Sequence, residues 1–353
     1  MRITILFLLI LNVGMHPISA QEETTRDKAK RAITMMDNGQ IEESIEILRE
    51  CVVEEPENYI YPYEIAYARI LQEDYEKAIE ILSKLKSYED INSQIYQLLG
   101  NCYSYNGDEK TALKTYAEGL SIFPNAGNLF LETGNIYYHN EDYDTAIQKY
   151  REGIEHDPMY PSNYYRLALL YLNSKDLMSG LIYGELFMNL ERTTQRTQEM
   201  SKLLYETYVE AIKIKKDTLS FEFCDIIITD SELKNGELKL PLCGIYAKNM
   251  GLSIIGVEEI NLNTLSEIRI KFIEQFYKED YKNYSNALFE YHKKLLEHDL
   301  FDTYNHYLFQ IGAEDDFTNW YEAHQSDYET FTDWYIREEN IIRINDTNMF
   351  IKA

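Results

Sequence analysis

Apolar residues recur three and four positions apart along most of the chain, the pattern of helices with one buried stripe. Ile95, Leu98, Leu99, Cys102 and Tyr103 make one such stripe. Asn106-Gly107-Asp108 interrupts it with left-handed turn chemistry, and Ala112, Leu113 and Tyr116 restart it. The stripes are themselves periodic. Small residues fall at Ala32, Ala66, Gly100, Gly134 and Ala168, each 34 after the last, and at Ser44, Ala78, Ala112, Ala146 and Gly180. Met35, Arg69, Tyr103, Tyr137 and Tyr171 form a third series, and Leu48, Leu82, Tyr116, Tyr150 and Gly184 a fourth. Pro56, Pro124 and Pro158 close three of the units, with Asp90 and Arg192 in the equivalent places. The register holds from about Thr25 to Thr194 without an insertion.

Each period predicts a hairpin of two helices. A small residue on each helix lets the backbones approach, and the prolines stop the second helix. One hairpin cannot bury its own apolar face, so successive hairpins must stack. The skeleton resembles that of tetratricopeptide repeats. It is nearly whole in Tyr96, Leu99, Gly100, Tyr103, Ala112, Tyr116 and Pro124, and again in Phe130, Gly134, Tyr137, Ala146, Tyr150 and Pro158. Repeats one, two and five are looser. Pro62 stands where an aromatic belongs, and Gly180 and Gly184 replace helix formers. The resemblance implies five repeats over 25–194, an all-α fold and a right-handed superhelix (α-solenoid) with a groove lined by the first helices. It also implies a protein that binds peptides or other proteins and has no chemistry of its own.

Beyond the array, Gln198 to Lys215 keeps a helical stripe without the skeleton, so residues 195–216 are expected to form a capping helix. Residues 217–264 read as an irregular connector, with a hairpin signal at Asn235-Gly236 and a short helix over Pro241–Ile255. Residues 265–353 read as a helical C-terminal region. It opens with helices over 265–281 and 284–298, the second resembling half of a degenerate repeat hairpin, and shorter helices follow. Its crowded aromatics, from Tyr304 to Tyr335, read as core.

The opening residues change the picture of where the chain acts. Arg2 precedes an apolar run from Ile3 to Val13, and Pro17 and Ala20 follow. Residues 1–20 therefore read as a cleaved secretory signal rather than an uncleaved anchor, leaving an exported, periplasmic or secreted protein with no membrane insertion. Export makes the cysteines eligible for oxidation. Cys224 and Cys243, 19 apart in the irregular stretch, are the candidate disulfide, whereas Cys51 and Cys102 read as small buried hydrophobes.

Charge narrows the partners. With 34 Lys and Arg against 60 Asp and Glu, the net charge of −26 repels phosphate backbones and anionic lipid, which argues against nucleic acid. Known catalytic signatures are missing from the sequence: no phosphate-cradling glycine loop, no His-Glu-x-x-His helix, no nucleophile elbow and no Cys-x-x-Cys pair. His298, Asp302 and His306 are spaced by four, but a helix change near Asp299 weakens them as metal ligands. No cofactor is expected. A hydrolase or metal-dependent enzyme with its site in 217–353 is one alternative, and a self-associating structural envelope protein is another.

The candidate site is the groove face of each first helix. A helical wheel places Tyr63, Tyr67 and Ile70 there in repeat two, and Gln97, Asn101 and Tyr105 in repeat three. Leu131, Asn135, Tyr138 and His139 follow in repeat four, and Tyr165, Arg166 and Leu169 in repeat five. The carboxamides of Asn101 and Asn135, 34 apart, suit the donors and acceptors of an extended peptide, and tyrosine adds contact area with a polar tip. Only Arg166 is cationic on that face, which argues against a clamp for a C-terminal carboxylate.

Overall fold

A computed structural model describes residues 23–215, 218–226, 233–234, 237–238 and 240–351. The expected signal segment and the Asn235-Gly236 turn lie outside these residues. The chain divides into two compact units, ending at Ile91 and beginning at Asn92, and each is taken by itself.

The first unit holds two hairpins, α1 (Thr25–Asp37) with α2 (Ile41–Glu54) and α3 (Ile60–Leu71) with α4 (Tyr75–Leu85). Ala32, Ile45, Leu48, Cys51, Ala68 and Ile65 form its core. The second unit continues with α5 (Ser93–Tyr105) and α6 (Glu109–Ile122), α7 (Gly127–His139) and α8 (Tyr143–His156), and α9 (Pro161–Leu172) and α10 (Leu177–Leu190). Its hairpins stack as the period requires: α7 packs on α5 and α6, and α9 on α7 and α8.

Local chemistry repeats with the period. Asp74, Asp108, Asp142 and Asp176 each cap a second helix by accepting from the backbone N–H three residues on. Gly39, Glu73, Gly107 and Glu141, also 34 apart, hold the left-handed turn between the helices.

After α10 comes α11 (Gln195–Ala211). The helix expected over 195–216 ends at Ala211, because Ile212-Lys213-Ile214-Lys215 alternates β-branched and polar residues. This stretch forms β1 (Ile212–Lys215), paired antiparallel with β2 (Thr218–Phe221). A second small ribbon joins β3 (Leu233–Lys234) and β4 (Glu237–Leu238) on either side of the Asn-Gly signal. Cys224 is disulfide-bonded to Cys243, tying the segment after β2 to the start of α12 (Leu242–Ile254). Among the described residues, the expected connector holds β2, the ribbon at the Asn-Gly signal and α12, which takes the place of the short helix expected over Pro241–Ile255.

The C-terminal helices are α13 (Leu262–Glu279), the short α14 (Tyr281–Tyr284), α15 (Ala287–Glu297), α16 (Phe301–Phe309), α17 (Glu314–Ala323) and α18 (Gln325–Tyr335). α13 packs chiefly on α12 and α16, so the repeat-like hairpin expected from 265–281 and 284–298 is not the main pairing. The final segment returns to the array. Ile342, Ile344 and Phe350 are buried, and the Phe350 ring lies 4.9 Å from that of Tyr183 on α10. α10 is consequently buried on every side, which explains its apolar sequence LMSGLIYGELFMNL.

Candidate functional site

The inner face of the second unit is built on α5, α7 and α9. In repeats three and four a glycine, an asparagine and a tyrosine occur together: Gly100, Asn101 and Tyr116, then Gly134, Asn135 and Tyr150. The reason is steric. A Cβ on Gly100 would stand 2.1 Å from the Tyr116 ring, and one on Gly134 would stand 2.4 Å from the Tyr150 ring. The tyrosine of the second helix lies over the glycine and donates its hydroxyl to the neighbouring carboxamide, Tyr116 to Asn101 at 2.5 Å and Tyr150 to Asn135 at 3.0 Å. Repeats two and five hold Ala66-Tyr67 with Leu82 and Ala168-Leu169 with Gly184, so the three residues come and go together. Burial pushes both phenols up, keeping them neutral donors.

Each carboxamide oxygen is therefore spent inside the protein, which corrects the expectation that both ends of Asn101 and Asn135 are offered to a partner. Asn135 also donates to Glu132 at 3.0 Å, whereas the Asn101 Nδ2 makes no hydrogen bond within the described residues. Gln97 is likewise engaged. It donates to Glu132 and accepts from Asn128, each at 2.8 Å, and Ser93 donates to Asn128 at 3.0 Å. These rungs lace α5 to α7.

Similar rungs join α9 to α11. Tyr165 donates to Glu199 at 3.5 Å and Arg196 to Ser162 at 3.2 Å, both pairs 34 apart. Helix α11 begins 34 residues after α9, so it occupies the place of a sixth first helix although its sequence has lost the skeleton. Tyr165 is half-buried beneath the Arg196 guanidinium, which stands 5.0 Å from its ring.

Aromatic and cationic side chains keep exposed surface on this face. Tyr105 is 61% exposed and Tyr138 is 36% exposed. Around Tyr138 stand His139 at 5.8 Å, Tyr143 at 5.6 Å and the Arg166 guanidinium at 5.9 Å. The structure thus brings Tyr138, His139 and Arg166 together and keeps Gln97, Asn101 and Asn135 along the helices beside them. Tyr63, half-buried, and Tyr67, exposed, belong to the first unit.

One polar constellation has no counterpart in the sequence reading. Glu185 of α10, 3% exposed, accepts from Arg269 Nη2 at 2.5 and 2.7 Å, from His292 Nε2 at 2.6 Å and from the Tyr304 hydroxyl at 2.9 Å. Asn189 donates to Tyr304 and accepts from Tyr335. Burial alone would raise the Glu185 carboxyl, but Arg269 and His292 outweigh it and hold it at about 2. His292 is pushed below its ordinary value by burial, against the pull of Glu185. A cavity of about 20 Å³ adjoins the group, room for one water, and the buried Arg269 Nη1 beside it has no protein partner. Phe272, Phe289, Leu181 and Met250 close the walls, so these residues join four helices rather than meet a substrate. The available signal was a lone glutamate inside an apolar helix, which must be paired if it is buried.

His298, Asp302 and His306 do not converge on a metal. His298 Nδ1 pairs with the Lys294 carbonyl, and the His306 ring nitrogens engage the Asp302 carbonyl and Asn263. Among the described residues no group of three or more His, Cys, Asp or Glu could hold an ion, and no helix is long and apolar enough to cross a membrane. Cys51 and Cys102 are free and buried, and burial pushes the Cys102 thiol up to about 12.

Comparison with known proteins supplies the family. Residues 93–125 match the model of the tetratricopeptide repeat, and residues 134–174 match a second model described as TPR repeat. No curated protein matches the chain. Among solved structures it is similar to TTC0263, a thermophilic TPR protein of Thermus thermophilus, at 16% identity over 51% of this chain and 99% of that one, with a TM-score of 0.43. It is similar to PilW, described as a widely conserved type IV pilus biogenesis factor, at 13% identity over 52% and 84%, with a TM-score of 0.41. YrrB, described as a TPR protein with an unusual peptide-binding site, is 14% identical over 50% and 91%, with a TM-score of 0.32. The 34-residue period, the stacked helix hairpins and the two family matches agree: the chain carries tetratricopeptide repeats.

Proposed function

We propose that the inner face along α5, α7 and α9 holds an extended segment of a partner protein, and that the molecule is a non-catalytic binding scaffold acting outside the cytoplasm. One observation carries this reading. Beside the rungs between helices, large polar-tipped side chains keep exposed surface: Tyr105 on α5 and Tyr138 on α7, with the half-buried Arg166 guanidinium 5.9 Å from the Tyr138 ring and the Asn101 carboxamide partly exposed on α5. Tyrosine and arginine bury much area at low entropic cost and lead the residues that dominate binding energy. The carboxamide, its oxygen pinned by Tyr116, presents a fixed donor to a main-chain carbonyl. The apolar run behind Arg2 and the small residue at Ala20 support export.

The test compares wild type with the triple variant Tyr105→Ala, Tyr138→Ala, Arg166→Ala in cross-linking capture from envelope extracts. These side chains are exposed or half-buried, so the unfolding temperature should change little while the captured partner is lost. Recovery of the same proteins by both forms would sink the groove reading. Recovery of the chain itself only from the cytoplasmic fraction would remove the export reading.

A further inference from the structure

Four departures of the first unit from the later repeats line one hollow. Where repeats three to five place Tyr96, Phe130 and Tyr164, repeat two has Pro62, smaller by an aromatic ring. Where they place Tyr103, Tyr137 and Tyr171, it has Arg69. Where the other capped second helices have Thr111, Thr145 or Ser179 as their third residue, α4 has Lys77. Position 53 is Val, against Ser87, Ser121 and Glu155 in the following repeats, and it is 82% exposed. Of these four side chains, Arg69 donates to Glu42 and Gln72, and Lys77 to Asp74. Together with Arg49 and Ile81 the four border a hollow of about 470 Å³ between α2 and α4, over the outer side of α3.

The chemistry of the hollow runs against that of the molecule. Val53, Pro62 and Ile81 line it with aliphatic carbon, and its rim carries three cations and the Glu80 carboxylate, which is paired with Lys84 at 2.7 Å. Arg69 is paired with Glu42 at 2.8 Å and Lys77 with Asp74, but Arg49 makes no ion pair within the described residues. An unpaired arginine beside an exposed valine is unexpected on a chain of net charge −26, where carboxylates are plentiful. We propose that this hollow is a docking site for an acidic, aliphatic segment of a partner protein, its leucine-like side chain over Val53 and Ile81 and its carboxylates facing Arg49 and Lys77. The site is separate from the inner face, so it stands or falls without the proposal made there.

Two fluorescein-labelled peptides test it by anisotropy on the full chain, one of alternating glutamate and leucine pairs and one with lysine in place of glutamate. The whole-molecule charge favours the basic peptide, whereas the hollow favours the acidic one, so the two effects are separated by sign. Saturable binding of the acidic peptide is expected, weakened about tenfold or more by Val53→Asp and by Arg49→Glu. Both positions are exposed, so the unfolding temperature of either variant should match wild type. The Tyr105→Ala, Tyr138→Ala, Arg166→Ala variant should bind the acidic peptide as wild type does. Tighter binding of the basic peptide, or equal binding by the Val53→Asp form, overturns the proposal. A dimer in light scattering that Val53→Asp converts to monomer also overturns it, since the hollow would then seat a second copy.

Discussion

At the scale of single residues, the asparagines of the inner face are as much structural as recognitive. Tyr116 is 1% exposed, so its hydroxyl has no water to fall back on if Asn101 is removed. Asn101→Ala strands a buried donor and should cost about 1–3 kcal/mol, whereas Tyr116→Phe removes donor and need together and should cost about 1 kcal/mol. The double variant should be barely worse than Tyr116→Phe alone, a non-additivity that urea unfolding would measure. Strict additivity would mean that the hydrogen bond contributes nothing. A 3.6-residue repeat gives Asn101 and Asn135 a common direction on their helices. It does not reveal where their oxygens go. The partner lies fifteen residues away on another helix, and only the joint appearance of glycine, asparagine and tyrosine in two repeats encodes it. Glu185 was harder still, since Arg269 and His292 come from helices with no periodic relation to α10.

At the scale of elements, period and capping made the hairpins legible, and the turns show how. Positions 39, 73, 107 and 141 all adopt positive φ, 82°, 58°, 83° and 60°, yet glycine fills only two of them. A side chain in that region costs about 1–2 kcal/mol, part of which glycine returns as flexibility of the unfolded chain. Glu141→Gly should therefore raise stability by up to about 1 kcal/mol, while Gly107→Ala should lower it by a similar amount. Thermal unfolding distinguishes these signs, and a Glu141→Gly form that melts earlier than wild type would contradict the strain argument. The same logic marks where the reading failed. Helix α11 stops at Ala211 because an Ile-Lys alternation with period two takes over, a signal too short to outweigh the helical stripe before it. The C-terminal helices were visible one by one, but their pairing was not, because α13 meets α12 and α16 through contacts that leave no spacing rule in the sequence.

For the second unit as a whole, the Glu185 constellation joins the last repeat to the helices that follow it: α10 supplies the carboxylate, α13 the guanidinium, α15 the imidazole and α16 the phenol. Its response to pH has a definite sign. Glu185 is held at about 2, below an ordinary glutamate, so its contribution is complete above the ordinary carboxylate range and is lost as pH falls from there toward 2. His292 is held below its ordinary value and stays neutral when folded. The unfolded chain takes up that proton first, so stability begins to fall as pH drops below about 6.5. Acidification also relieves repulsion among 60 carboxylates, which acts in the opposite direction, so the wild-type curve alone decides nothing. The comparison with His292→Gln does. Gln retains a donor for Glu185 but cannot titrate, so the variant should be less stable at pH 7 yet lose less than wild type between pH 7 and 5. Superposable slopes in that interval would show that His292 titrates alike in the folded and the unfolded chain. Glu185→Gln behaves differently, because Arg269 keeps its charge in a site with no other anion against it. A loss of about 3–5 kcal/mol at neutral pH is expected, with the steep limb below pH 4.5 flattened, since the group responsible for it is gone.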